Sequence, residues 1–105
     1  MFGLFKSVPS ISTKELESLL STQNITLLDV RSPGEYRGGH IQKANNVPLN
    51  KITTYKGKNT EPVYVICQSG MRSKNAAKQL KKMGYNVINV RGGMSQWTGK
   101  TRGGK

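Results

Sequence analysis

Pro62-Val63-Tyr64-Val65-Ile66-Cys67-Gln68-Ser69-Gly70-Met71-Arg72-Ser73 is the stretch from which the rest of the chain is read. It opens as a near-continuous apolar run of strand length, the pattern of a strand covered on both faces. It then passes through a cysteine into a short polar turn containing glycine. The residues that follow predict a helix from near Arg72 to about Met83. Ala76, Ala77, Leu80 and Met83 form one apolar stripe on it, and Lys74, Lys78, Lys81 and Lys82 lie mostly away from that stripe. Gly84 is a natural terminator for this helix.

The pattern repeats on either side. Downstream, Asn86-Val87-Ile88-Asn89-Val90 reads as a strand broken by Gly92-Gly93, with a last short helix expected from Met94 to Trp97. Upstream, Ile25-Thr26-Leu27-Leu28-Asp29-Val30 is a third strand, and Pro33-Gly34-Glu35-Tyr36 turns into a short helix. Before it, Ser12-Thr13-Lys14-Glu15 is a capping box, and Leu16, Leu19 and Leu20 recur at helical spacing, so a helix is expected over 13–21. Short apolar strands alternating with amphipathic helices predict an α/β domain: a central, mostly parallel β-sheet with helices on both faces. The expected organisation is an N-terminal arm over 1–10, one domain over 11–99 and a loose basic tail over 100–105.

The bulk numbers fit this. A chain of 105 residues holds one core and has no room for a separate substrate domain. Its 34% of apolar residues falls in short runs, none long enough to cross a bilayer. Met1-Phe2-Gly3-Leu4-Phe5-Lys6 is too short for a secretory signal, so the expected location is the cytoplasm. A single cysteine forms no internal disulfide and suits a reducing compartment. Seventeen Lys and Arg against five Asp and Glu leave a net charge of +12, which attracts anions of any kind: small oxyanions, nucleic acid, acidic lipid or an acidic protein.

Parallel sheets place their sites beyond the carboxyl ends of the strands. Three strand ends here carry polar or reactive groups: Asp29 to Arg31, Cys67, and Arg91-Gly92-Gly93. At the second, a cysteine leaves a buried strand, enters a loop with Ser69 and Gly70, and meets a helix start near Arg72. Loop N–H groups aimed at the sulfur, the helix N-terminus and the Arg72 charge each favour thiolate over thiol. The same cradle suits an anionic sulfur or an oxyanion attached to it. The bland alternative, a cysteine acting as a small buried hydrophobe, suits mid-strand positions better than this one. One cysteine and one histidine far apart in sequence make no metal site, and no cofactor is expected.

These segments resemble the rhodanese homology domain over roughly 12–97. Leu28-Asp29-Val30-Arg31 with Glu35-Tyr36 is similar to the first family signature. Gly39-His40-Ile41 with Ala44 and Asn46-Val47-Pro48 is similar to the second. Val65 to Ser73 resembles the active loop, and Gly92-Gly93 with Trp97 the closing element. Lys43 stands where the family often has glycine, and Asn45 where it often has an apolar residue. The resemblance implies a rhodanese-like fold and an enzyme, a sulfurtransferase of the thiosulfate type. In it Cys67 attacks the outer sulfur of thiosulfate or of a persulfide donor. Sulfite leaves, and the persulfide then passes to cyanide or a thiol. Arg72 with the loop Gln68, Ser69, Gly70, Met71 and Ser73 would bind the anionic parts. The resemblance also places His40, the one histidine, in a structural turn rather than in a general-base role. For the other motif residues the plainer reading is expected: Asp29 and Arg31 brace the loops rather than act on substrate, Glu35 pairs with Arg31, and Trp97 is a core or rim anchor rather than a substrate platform. A small anionic donor is the expected partner, and a sulfur-donor or acceptor protein stays open.

Other function classes fit the same residues less well. Cysteine phosphatases of this fold have five residues between cysteine and arginine, whereas Gln68, Ser69, Gly70 and Met71 make four here. The cradle is therefore smaller, and no aspartate stands nearby as a general acid. A non-catalytic protein-interaction module of this fold would not need both Cys67 and Arg72, whereas a sulfur-relay module would still use the cysteine and stays open as the alternative. Specific nucleic-acid binding is disfavoured because Phe2, Phe5, Tyr36, Tyr55, Tyr64, Tyr85 and Trp97 are scattered along the chain without forming a stacking platform.

Overall fold

The computed structural model describes residues 8–105. The N-terminal arm expected over 1–10 therefore lies largely outside the described residues. Its end does not: Ser10–Ile11 form the first strand, β1. The chain continues through α1 (Thr13–Thr22), β2 (Thr26–Asp29), α2 (Pro33–Gly38), β3 (Ala44–Asn46), β4 (Val63–Ile66), α3 (Met71–Lys82) and β5 (Val87–Val90). Short 3-10 turns occupy Leu49–Thr54 and Gly93–Ser95.

The five strands lie in the order β1-β5-β4-β2-β3, and every pairing is parallel. The three strands expected from apolar runs are the three central ones. The two edges, β1 and β3, carry no such run.

Alternation along the strands splits the core into two layers. Leu28, Val63, Val65 and Val87 face one side, where Ala76, Ala77 and Leu80 of α3 and Ile52 of the 3-10 turn cover them. Leu27, Tyr64, Ile66 and Val90 face the other, under Leu16 and Leu20 of α1. Each fully buried Leu or Ile contributes about 1.5–3 kcal/mol, so both layers are needed to hold the sheet.

Local signals set the helix starts. The Ser12 hydroxyl accepts from Glu15 N–H at 3.1 Å, and Glu15 accepts from Ser12 N–H at 2.9 Å. Ser32 and Glu35 repeat this box at α2, with Pro33 in the first turn. Gly84 follows α3 at φ +101°, a conformation that favours glycine.

The tail departs from expectation. Arg102 pairs antiparallel with His40 through N–H···O bonds of 2.9 and 2.7 Å, and Gly104 N–H donates to the Arg37 carbonyl at 2.8 Å. These backbone bonds tie a segment whose composition alone reads as loose. Lys43 also finds a structural partner, donating to the Leu20 carbonyl at 2.8 Å near the end of α1. Asn45 stands on the exposed face of edge strand β3.

Candidate active site

Parallel pairing brings the ends of β2, β4 and β5 to one edge, and backbone bonds knit them together. Val30 N–H donates to the Ile66 carbonyl at 2.9 Å. Met94 N–H donates to the Cys67 carbonyl at 2.7 Å, and Ser95 N–H to the Gln68 carbonyl at 2.9 Å. Gly93 lies against Cys67 and Gln68 so closely that any Cβ there would run into their backbone. It also sits at φ +61°. The Gly92-Gly93 pair is thus the floor on which the loop after β4 rests.

Cys67 is buried, 1% exposed. Gly70 N–H donates to its Sγ at 3.0 Å. The Cys67 thiol donates to the Ser73 hydroxyl oxygen at 3.3 Å and the Ser73 hydroxyl donates to the Gly70 carbonyl at 3.1 Å; once the thiol ionises, the hydroxyl can turn its proton to Sγ instead. Burial is the largest single influence on the thiol and pushes its pKa up. The Ser73 hydroxyl and the N–H groups of Ser73, Gly70 and Ser69 together outweigh that, and the thiol ionises below its ordinary value. Gly70 makes this geometry at φ +106°, where a side chain is strained.

The other loop residues divide by exposure. Gln68, Ser69 and Met71 face solvent, Met71 at 74%. Ser73 is fully buried. Arg72 is half-buried and gives both terminal nitrogens to Glu35, at 2.7 and 2.9 Å.

That ion pair corrects one expectation. Glu35 pairs with Arg72, not with Arg31, because Arg31 is already committed. Its Nε and Nη2 hold Asp29 at 2.8–3.2 Å, Nη2 also donates to the Gly39 carbonyl at 2.8 Å, and Nη1 to Gln68 Oε1 at 3.3 Å. The Arg72 guanidinium, followed by the Ser32 N–H and hydroxyl, holds the Glu35 carboxyl down to about 2. The Ser32-Pro33-Gly34-Glu35 spacing is itself a capping signature, and it could have placed Glu35 at the start of α2 from sequence. The arginine it meets, 37 positions away, has no local signal.

Arg91, expected among the polar strand ends, turns away from the cysteine. It donates to Ser10 Oγ at 2.8 Å and lies 3.9 Å from Glu15. His40 is 1% exposed, with Nδ1 2.8 Å from the Tyr36 carbonyl and its ring stacked on Tyr36 at 3.7 Å. It packs rather than reaching the cysteine loop. Trp97 is partly buried against the α1 layer and donates from Nε1 to the Lys100 carbonyl at 3.1 Å. Beside Arg72 a groove of about 270 Å³ opens between Ser32-Pro33 and Pro48-Leu49-Asn50. Among the described residues no group of three or more His, Cys, Asp or Glu side chains is placed to hold a metal ion.

Such a site, an ionisable sulfur at a strand end inside a ring of N–H donors, suits nucleophilic exchange at sulfur and the binding of a small anion. Comparison with known proteins points the same way. The family model described as "Rhodanese-like domain" matches residues 12–100. YqhL of Bacillus subtilis, described as uncharacterized, is 43% identical over 82 residues, 75% of this chain and 65% of that protein, so this chain spans only part of its length. The putative sulfurtransferase YtwF of the same organism is 36% identical over 99 residues, 90% of this chain and 95% of that one. Among solved structures, a rhodanese-like domain protein from Staphylococcus aureus superposes with a TM-score of 0.86 at 29% identity, covering 93% of this chain and 100% of the other. Fold, loop and family model agree: the chain belongs to the rhodanese-like domain family.

Proposed function

We propose that this protein is a sulfurtransferase that carries sulfane sulfur as a persulfide on Cys67, drawing it from thiosulfate or a persulfide donor. The observation that carries this reading is the cradle itself. A buried sulfur ionises below its ordinary pKa because the Ser73 hydroxyl and the N–H groups of Ser73, Gly70 and Ser69 converge on it. The Cys67 thiolate attacks the outer sulfur of thiosulfate. The new S–S bond forms as the old one breaks, and sulfite leaves with the electron pair. The outer sulfur of the persulfide stays anionic and is held by the loop N–H groups. A thiolate or cyanide then attacks that outer sulfur, and Cys67 departs as thiolate, ready for the next turn.

The order of events predicts ping-pong kinetics. Initial rates of thiocyanate formation, measured over a grid of thiosulfate and cyanide concentrations, should give parallel double-reciprocal lines. Intersecting lines would require both substrates on the protein at once and would remove the persulfide from the pathway. A lone cysteine kept in a reducing environment is consistent with a cytoplasmic place for this chemistry. Among the described residues no helix is long and apolar enough to cross a membrane.

A further inference from the structure

The two long helices that cover the sheet differ in charge. The layer containing α3 and the Leu49–Thr54 turn carries Lys51, Lys56 and Lys58 on or just after the turn, and Lys74, Lys78, Lys81 and Lys82 on the helix. Over residues 49–85, Glu61 is the only carboxylate. On the opposite layer α1 sets Glu15 and Glu17 against Lys14. Most of this basic layer is one surface: Tyr55 and Tyr85 pack ring to ring at 5.3 Å, and Gly57 N–H donates to Tyr85 Oη at 3.1 Å, which joins the loop to α3.

The pattern has a direction. Met71, Lys74, Lys78 and Lys82 are spaced by three, four and four residues, so they share one face of α3, and all four are exposed. The stripe starts at Met71, in the loop that holds the sulfur, and runs about 16 Å away from it. A methionine this exposed beside a nucleophile is an adaptable apolar contact. The lysines behind it are a row of positive charge along the same helix face.

We infer that this stripe is the docking surface for an acidic protein that exchanges sulfur with Cys67, Met71 taking its apolar contact and Lys74, Lys78 and Lys82 its carboxylates. The inference rests on the carrier reading above and adds the chemistry of the partner. Nucleic acid fits this face less well. Tyr55 and Tyr85 are half-buried against each other, and Trp97, Tyr36 and Tyr64 belong to the other layer, so bases find no ring to stack on. A small anion would need none of a row this long. A carboxylate-rich protein surface uses the whole row, and its thiol or persulfide then arrives at the end where the sulfur is.

The test uses two synthetic peptides. One has a run of Asp and Glu joined by Gly-Ser-Gly to a C-terminal cysteine; the other replaces the acids by Asn and Gln. The full chain is loaded with sulfur from thiosulfate, freed of excess donor, and its discharge to each peptide is followed by mass. At about 20 mM ionic strength the acidic peptide should discharge Cys67 about tenfold faster, and the advantage should vanish near 0.5 M salt. The K74E/K78E/K82E variant should lose the advantage while discharging to dithiothreitol at the unchanged rate, and the milder K74Q/K78Q/K82Q variant should lose most of it. Equal rates for the two peptides at low salt, or a variant that keeps the advantage, would overturn the proposal. So would a twelve-residue oligouridylate that binds through these lysines more tightly than the acidic peptide. Failure to load sulfur at all shows before any peptide is added and would sink the carrier reading and the docking surface together.

Discussion

The ends of β2 and β4 are neighbours in register, with Asp29 opposite Ile66, yet the chain leaves the sheet in opposite ways. After β2 it closes on itself. Arg31 folds back onto Asp29, both side chains at most 5% exposed, and their hydrogen-bonding groups are committed to each other and to nearby backbone. After β4 the N–H groups of Ser69, Gly70 and Ser73 converge on a single soft atom, the Cys67 sulfur, and favour its ionised form. One end is a brace and the other a reactive cradle, joined by Arg31 and Gln68 at 3.3 Å. The difference teaches where chemistry resides in such a sheet: at the end where donors face a reactive atom, supported by the end where they are already used.

The largest expected effect breaks the brace. Asp29→Ala leaves the Arg31 charge buried without its partner, which costs about 3–5 kcal/mol out of a typical 5–15. Urea unfolding should show this as a large drop in midpoint. A loss below about 1 kcal/mol would mean that the β2 end is not a brace.

Gly70→Ala acts on the cradle instead. The new Cβ meets open space, its nearest neighbour being Gly92 N at 3.7 Å, so the penalty comes from φ +106°. Relief of that strain swings the Gly70 N–H off the sulfur, and persulfide formation should slow by about tenfold or more, with a stability loss near 1 kcal/mol. An unchanged rate would show that this donor is not used.

Ser73→Ala removes the largest of the influences that lower the Cys67 pKa. The inflection in a plot of iodoacetamide reactivity against pH should move up. The rate should fall a few-fold at pH 7 and recover at high pH, where both proteins are thiolate. An inflection that stays in place would assign the acidity to the backbone alone.

Glu35→Gln should have the smallest effect. The Glu35 carboxyl is held at about 2, below its ordinary 4.5. Its pairing with Arg72 therefore adds stability that is full above pH 4.5 and is lost as pH falls towards 2. Both side chains are more than a third exposed, which limits this to about 1 kcal/mol or less. The stability gap between wild type and variant, followed by urea unfolding from pH 7 to pH 3, should be small and should shrink. A gap that widens on acidification would contradict the pairing.

The sequence makes the reactive end far more legible than its surroundings. β2, β4 and β5 announce themselves as apolar runs because both faces of a central parallel strand are covered. β1 is two residues long, and β3 reads Ala-Asn-Asn because an edge strand needs no apolar run, so neither is visible before folding. Cys67 with Ser69, Gly70 and Ser73 is legible because a cradle is a local feature, made by consecutive residues. Glu35 with Arg72 is not, since Arg31 is the nearer arginine in the motif and only the folded brace shows that it is taken. The pairing of Arg102 with His40 is equally hidden: a Gly-rich basic composition says nothing about a backbone bond to a residue 62 positions earlier.

The central claim, that the cradle loads sulfur, is tested most directly by the intact mass of the protein after mixing with thiosulfate, with Cys67→Ser as control. The account predicts a gain of one sulfur atom that a reductant removes and that the serine variant never shows. A wild-type protein with a free, reactive Cys67 that gains nothing from thiosulfate or from a small persulfide donor would contradict it.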